Sequence, residues 1–380
     1  MILILILALV VRLLAWLILP EFNFPDLQNY IDSGQQLFAY GEIGQHHVMP
    51  LYPIVTYLLG EKYNIIFFGI ILSVFNVFMI YQVSYLLFNN KRVSCIAMLI
   101  WSVYPFSIFY SITGLTETFF VSVLMTFFYF MYKNKVLPAF ILAALSVLIR
   151  PTLELFFPVV IFLFSYLVLQ KKPIESWLYV AKYLLVYMLI MSPWWLHQYD
   201  KYNQFVRLNL GAGIVLYTGH NILNKEGRSS NDPVKGVVVD FTAFHAIDDP
   251  IVKDNALKKA AVDYAISNPF QTLKTMGYKF VNFWNFWPYA SQYNKFFYIL
   301  ISLLSYGLMF VLALMSFKYL KYKQINLLMP IYLLFAYMTL VHMILISSIR
   351  YRFPLEIFLI ILASFTINNI FFSKGKKLWR

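Results

Sequence analysis

MILILILALVVRLLAWLILPEFNFPDLQNYIDSGQQLFAYG, residues 1–41, decides how the rest of the chain must be read. Its first 19 residues are almost pure hydrocarbon, broken by one charge, Arg12. The chain then turns polar and at once presents an acid, Asp26, with Leu27, Tyr30, Ile31, Gly34, Leu37 and Phe38 spaced behind it. That spacing makes one face of a helix, so the segment reads as a helix lying along a membrane surface. The apolar run has no basic leader, and Leu19-Pro20-Glu21 is a poor cleavage site, so it reads as a retained span. MPLYPIVTYLLG, residues 49–60, turns at Pro50 and Pro53; at 12 residues it is too short to cross and reads as interfacial or re-entrant.

The same balance holds along all 380 residues: 61% are hydrophobic, 19% aromatic and 12% charged. A soluble domain carries about 25% charged residues. Runs of about 20 apolar residues are membrane-spanning candidates. About ten occur, at 1–19, 64–88, 93–110, 115–132, 136–150, 151–169, 177–196, 295–317, 325–346 and 353–372. The fold class is therefore an all-α polytopic membrane protein. The net charge of +13 sits in short clusters between apolar runs, where lipid headgroups lie, and does not make a nucleic-acid surface. The single cysteine, Cys95, excludes an internal disulfide and a thiolate metal cluster.

Lysine and arginine set the orientation. One set of loop ends holds Lys91, Arg92, Lys133, Lys135, Lys171, Lys172, Lys318, Lys321, Lys323, Lys374, Lys376, Lys377 and Arg380. The opposite short ends hold only Lys62, Arg150, Arg350 and Arg352. The basic-rich side is expected to be cytoplasmic. This divides the chain into a membrane core, 1–196, with a first outer loop at 20–63; an outer segment, 197–294; and C-terminal membrane helices, 295–380. The outer segment contains a polar loop, GHNILNKEGRSSNDPVKG (219–236), then two amphipathic helices split at Asn268-Pro269. Tyr278, Phe280, Phe283, Trp284, Phe286 and Trp287 form an aromatic belt suited to headgroup level.

Charge beside a membrane defaults to a functional hypothesis. The candidates all fall on the expected outer side: Asp26, His46, His47, Glu117, Arg150, Glu154, Arg350, Arg352 and Glu356. Spacing alone reads Asp26 as a first-turn carboxylate that satisfies free amides; the other reading is a general base or metal ligand. Glu117, flanked by Thr116 and Thr118, reads equally as a cap or as a ligand for a hydroxyl or a metal. Arg150-Pro151 has a bland account in snorkelling. Arg350-Tyr351-Arg352, at a boundary poor in cations, suits bidentate phosphate recognition. His46-His47 reads as a hydrophilic loop, with a zinc ligand as the alternative. His342, inside an apolar run, reads as a hydrogen-bonded packing residue.

Several segments together resemble the GT-C glycosyltransferases that use polyprenyl-phosphate sugars, akin to protein mannosyltransferases and the lipid A aminoarabinose transferase. RLLAWLILPEFNFPDLQNYIDSGQQLFAYG (12–41) and MPLYP (49–53) resemble the family's first span, its Asp-bearing loop and its Pro-Leu-Tyr-Pro element. YPFSIFYSITGLTETFF (104–120) resembles its second acidic loop, and ALSVLIRP (144–151) its Arg-Pro span end. SPWWLHQYDKYNQFVRLNLGAGIVLYTGHN (192–221), AISNPFQTLKTMGYKFVNFW (265–284) and RYRFPLEIFLIILA (350–363) resemble the later elements, in the family's order. His197-Gln198 stands where relatives carry Arg-Asn, and one acid stands where protein mannosyltransferases carry an Asp-Glu pair.

The resemblance implies an inverting transfer of a sugar from a polyprenyl-phosphate donor to a glycan, lipid or protein acceptor at the outer face of the cytoplasmic membrane. It implies Asp26 as base and Glu117 as acceptor-orienting group. Arg350, Arg352 and Arg150 would hold the donor phosphate, and Tyr30, His46, His47, Tyr52, His220 and Asn221 would line the substrate site. A divalent metal ion, if one is used, would sit on Asp26, Glu117 and His47. The rival class is a transporter or lipid-linked-sugar flippase, which usually carries its charges near the bilayer midplane; only Arg12 and His342 are that deep in the apolar runs.

Overall fold

Every one of the apolar runs folds as helix. The computed structural model describes residues 1–19, 24–288 and 290–372. Residues 20–23 of the first loop, and Lys374, Lys376, Lys377 and Arg380 of the charge pattern, lie outside the described residues. In chain order the helices are α1 (Ile2–Ile18), α2 (Pro25–Tyr40), α3 (Leu51–Leu59), α4 (Lys62–Phe88), α5 (Lys91–Val103), α6 (Pro105–Ser111), α7 (Thr116–Tyr132) and α8 (Val136–Ile149). There follow α9 (Phe156–Val168), α10 (Pro173–Tyr202), α11 (Ala212–Gly219), α12 (Pro250–Ser267), α13 (Pro269–Trp284), α14 (Phe296–Lys318), α15 (Tyr322–Ile344) and α16 (Ile349–Phe372). There is no β-strand among the described residues, only a lone bridge between Asp232 and Gly236.

The protein is a multi-pass membrane protein, and length and composition among the described residues mark five or six crossings rather than confirming ten. Five helices, α4, α10, α14, α15 and α16, are long and apolar enough, and α5 with α6 makes a sixth if that pair, bent by 56°, is one span. The apolar helices α1, α7, α8 and α9 fall in the 10–17 residue range. At 1.5 Å per residue such a helix reaches at most about 25 Å, against a hydrocarbon core of about 30 Å.

Local chemistry sets the breaks. Pro25 opens α2, and Gly41, at φ 72°, closes it in the left-handed conformation. Asn90 caps α5 by accepting from the amides of Arg92 and Val93 at 2.9 and 3.3 Å. Pro151 disfavours helix at the residue before it, and Arg150 is accordingly extended at φ −143°, ψ 119°. Asn268-Pro269 separates α12 from α13 as its sequence implies.

Arg12 explains itself at the α5–α6 bend. Its guanidinium donates to the carbonyls of Ala8, Trp101 and Ser102 and to the hydroxyls of Ser73 and Ser107, at 2.7–3.4 Å. Trp101 and Ser102 end α5, so the arginine takes up carbonyls that the interrupted helix leaves open. Its role is structural.

α16 is the central post. Every residue from Arg352 to Thr366 is buried, against α5, α13, α14 and α15 among others. Between helices in lipid, association depends on close packing and hydrogen bonds rather than on hydrophobic burial. The up-and-down chain order gathers 24–61, 112–115, 150–155, 203–288, 290–295 and 345–348 at one end of the bundle. Contacts mark that end: Tyr52 Oη donates to Gly114 O at 2.6 Å, Lys201 Nζ to Ile43 O at 2.6 Å and Ser347 Oγ to Lys279 O at 2.7 Å. At the far end the Arg92 guanidinium lies 4.9 Å from the centre of the Phe372 ring.

Candidate active site

Four charged residues from four helix ends meet at the loop-rich end. Asp26 stands in the first turn of α2, Glu117 in the first turn of α7, Arg150 at the end of α8 and Arg350 in the first turn of α16. Arg350 bridges the carboxylates: its Nη1 lies 2.6 Å from Asp26 Oδ2, and its Nε donates to Glu117 Oε1. Arg150 Nη2 lies 2.6 Å from the same Glu117 oxygen, and Arg150 Nε donates to Thr116 Oγ1 at 2.8 Å. Glu117 is fully buried, Arg150 and Arg350 are partly exposed, and the Asp26 side chain is 43% exposed.

This geometry answers the capping question for both acids. Phe24 and Leu115 hold the N-cap positions of α2 and α7 without a side-chain hydrogen bond, and both carboxylates turn to guanidinium groups. Glu117 is reached because the chain turns sharply just before α7. Gly114 there has φ 66°, and a Cβ on it would press against the Leu27 side chain.

Beside the cluster lies a cavity of about 180 Å³. Asp26, Asn29, Tyr30, His47, Arg150 and Asn209 form its polar wall, with Val48, Met49, Ile149 and Pro151 completing it. Tyr52 stands behind Tyr30, edge-on at 5.0 Å between ring centres. Burial is the main cause that raises the Tyr30 phenol above its usual range, against the pull of Arg150 and Arg350. Tyr30 therefore stays a neutral hydrogen-bonding group.

Asn29 and Asn209 were not among the sequence candidates. Asn29 lies three residues after Asp26 and so on the same helical face, a signal that was available. Asn209 comes from the loop after α10, where no periodicity marks it.

Other expected site residues fall elsewhere. Arg352 does not join Arg350. It is fully buried, paired with Glu356 at 2.8 Å, stacked 3.4 Å from the centre of the Tyr306 ring, and bonded to the carbonyls of Phe283 and Asn285. Tyr104 Oη donates to the other Glu356 oxygen at 2.7 Å, which completes a structural network. Two residues apart on a helix means about 200° of rotation, so the arginines point to opposite sides.

His46 points away from the cavity to Tyr202 Oη, at 2.6 Å. His220 Nε2 lies 2.5 Å from Ile344 O and 3.2 Å from Lys279 Nζ. Asn221 is consumed by the carbonyls of Tyr217, Thr218 and Val238. The aromatic belt is split as well: Phe283 is buried, and Trp284 and Phe286 pack inward on Phe310, while Tyr278, Phe280 and Trp287 are exposed. His342 packs between Phe283 and Tyr351, with its Nδ1 2.8 Å from Ile346 O.

The residues named for a divalent ion do not assemble as a donor set. Among the described residues no three His, Cys, Asp or Glu side chains come together to hold a metal. Asp26 and Glu117 are engaged by guanidinium groups, and a cation between them would face Arg150 and Arg350.

No known family model matches the chain, and no curated protein matches it. Among solved structures it is similar to the crystal structure of ArnT from Cupriavidus metallidurans bound to undecaprenyl phosphate, at 12% sequence identity and a TM-score of 0.49. The similarity covers 97% of this chain, which spans 60% of that one.

Proposed function

We propose that the protein is a membrane glycosyltransferase. In this reading it moves a sugar from a polyprenyl-phosphate donor to a glycan, lipid or protein acceptor, with inversion, at the outer face of the cytoplasmic membrane. The observation that carries the reading is the bridged cluster: two carboxylates and two guanidinium groups, from helix ends far apart in sequence, beside a polar cavity at one end of an apolar bundle. The resemblance of the sequence motifs supplies the reaction class.

Each residue has a chemical task. Asp26 borders the cavity and takes the proton from the acceptor hydroxyl as that oxygen attacks the anomeric carbon. Such base catalysis is worth roughly 10²–10⁴ in rate. The bond from the anomeric carbon to the phosphate oxygen breaks, and its electron pair leaves with the polyprenyl phosphate. Arg350 and Arg150 meet the charge that develops there, by preorganised electrostatics. Glu117, fixed between them, keeps both forks aimed. Once Asp26 holds the proton, its claim on Arg350 is released to the phosphate.

Orientation follows the positive-inside rule. Lys91, Arg92, Lys133, Lys135, Lys171, Lys172, Lys318, Lys321 and Lys323 lie at the end away from the cluster, which favours an outward-facing site. A transporter or flippase reading finds less support, because the cluster and its cavity lie at helix ends rather than between half-helices at mid-bundle. The experiment is sugar transfer from a synthetic polyprenyl-phosphate sugar by the purified chain reconstituted in nanodiscs. It is paired with mass spectrometry of surface glycans with and without the gene. Loss of a defined sugar from the surface and transfer in vitro support the reading; an unchanged glycan profile and no transfer reject it.

A further inference from the structure

The helix α13 is packed inside out. Thr275 and Lys279 are buried on its inner face, while Phe270, Leu273, Phe280 and Val281 are exposed. A helix bathed in water keeps its polar side outward; apolar residues turned outward suit the headgroup and acyl boundary of a bilayer. The exposed apolar surface continues onto Val262 and Ile266 of α12 and onto Leu340 and Ile344 at the end of α15.

Another cavity, of about 240 Å³, lies between α11, α12 and α13, and it shares no lining residue with the cavity at the charged cluster. Leu216, Val262, Ala265, Met276 and Ile344 make it apolar, and Thr272 and His220 are its polar members. Val262 and Ile344 are each 48% exposed, so the cavity opens beside them. Leu340 is exposed one turn before Ile344 on the same helical face, so the mouth meets the lipid-facing side of α15. An apolar cavity of about 150 Å³ already admits benzene, and this one has room for a stretch of a single hydrocarbon chain.

The polar end of the cavity is cationic and unpaired. Lys279 Nζ is buried, 3.2 Å from His220 Nε2 and 3.3 Å from Ile344 O, and has no carboxylate partner among the described residues. Gly219 closes over it: a Cβ there would lie 2.9 Å from Nζ. A buried charge without a partner is costly, and burial lowers this amine to about 7. His220 touches the amine and also lines the cavity. Its Nε2 lies 2.5 Å from Ile344 O, and its buried Nδ1 has no hydrogen-bond partner. Buried polar atoms in native proteins are nearly all satisfied. A trapped water needs two to four polar partners. Beside Nδ1 the lining residues offer only the Thr272 hydroxyl, which already donates to Ala265 O at 3.3 Å.

We propose that this cavity binds a single-chain carboxylate, a long-chain fatty acid drawn from the adjoining leaflet, with its tail against Leu216, Val262 and Met276 and its carboxylate on His220 Nδ1. With a proton on both ring nitrogens, His220 donates from Nε2 to Ile344 O and from Nδ1 to the carboxylate. The anion supplies the partner that Lys279 lacks. The site stands apart from the glycosyltransferase reading and does not depend on it.

The test measures binding of dodecanoate, dodecanol and dodecyl phosphate to the full chain in nanodiscs of zwitterionic lipid, with empty nanodiscs as the blank. Dodecanoate is expected to bind more tightly than dodecanol by a factor on the order of 10, because a hydrogen bond to a charged group is the stronger kind. That gap should close in His220→Leu. Ala265→Phe fills the cavity, leaves the His220–Lys279 pair in place, and should weaken dodecanoate on the order of 10-fold or more through lost tail burial; it tests the site even if His220→Leu does not fold. Dodecanol or dodecyl phosphate binding as tightly as dodecanoate overturns the carboxylate assignment. Unchanged dodecanoate binding in folded Ala265→Phe overturns the location. Displacement of dodecanoate by bare polyprenyl phosphate assigns the cavity to the donor lipid and overturns the proposal as well. None of these results touches the reading of the charged cluster.

Discussion

Arg350 reaches two carboxylates that lie 324 and 233 residues away in sequence. It can do so because it stands in the first turn of α16, the helix most enclosed by the others. Its planar fork can bridge two acceptors at once, which a lysine cannot. Arg350→Lys should keep the chain in the membrane and weaken competition by polyprenyl phosphate on the order of 10-fold or more, through loss of bidentate geometry. Binding equal to the parent would make Arg350 an anchor and no more. Glu117→Gln has a different signature. Removing one partner of a buried ion pair costs about 3–5 kcal/mol, so a lowered melting temperature and lost activity should appear together. A Glu117→Gln variant of parental stability would mean that Arg150 and Arg350 are held by something else. These four residues were legible from sequence because charges beside apolar runs are few and expensive. Their pairing was not, since nothing local links residue 26 to residue 350.

The reading of Arg352 turns on the element rather than the residue. Arg-Tyr-Arg suggests a phosphate clamp when taken as loop, and α16 begins at Ile349, which sends the second arginine to the far side. There it ties α16 to the last carbonyls of α13. Lys279 of α13 lies in the same seam: its backbone carbonyl accepts from Ser347, while its buried amine lies 3.3 Å from Ile344 O. The turn before Arg350 is thus clamped to α13 from both sides. Burial lowers the Lys279 amine to about 7. Its folded value is depressed, so between pH 7 and the unfolded value of roughly 10.4 the unfolded chain binds more protons. Stability should therefore rise with pH from 7 to 9, and the burden of the buried charge should be fully present below pH 7. Lys279→Met should raise the melting temperature at pH 7 and flatten its dependence up to pH 9. A parental slope in that variant would assign the pH dependence to other groups.

At the scale of the whole molecule, the alternation of apolar runs and cation clusters was enough to set the helix order and to bring the loop-rich segments to one end. The number of crossings was less legible: α1, α7, α8 and α9 are apolar but short, and composition does not reveal length until the breaks are seen. The 250–284 stretch was legible as two helices, because Asn268-Pro269 punctuates it, but only the second, α13, is clearly amphipathic. The second cavity wall was not, because Asn209 sits in a loop without period. The account predicts that a reporter fused after Phe372 is active on the cytoplasmic side and one inserted at the exposed Val234–Lys235 turn is active outside. The reverse pattern would put the cluster in the cytoplasm and end the outer-face reading.

The central claim is that sugar transfer runs through Asp26, and one isosteric change addresses it. Asp26→Asn keeps the shape of the side chain and removes the proton acceptor. Asp32, exposed on the same helix and bonded to Gln28 at 2.7 Å, gives the matched control. Transfer from a polyprenyl-phosphate sugar is measured in membranes with protein level checked. The account predicts that Asp26→Asn loses activity by roughly 10²–10⁴ at normal abundance, while Asp32→Asn keeps it. Full activity in the Asp26→Asn protein would contradict the account.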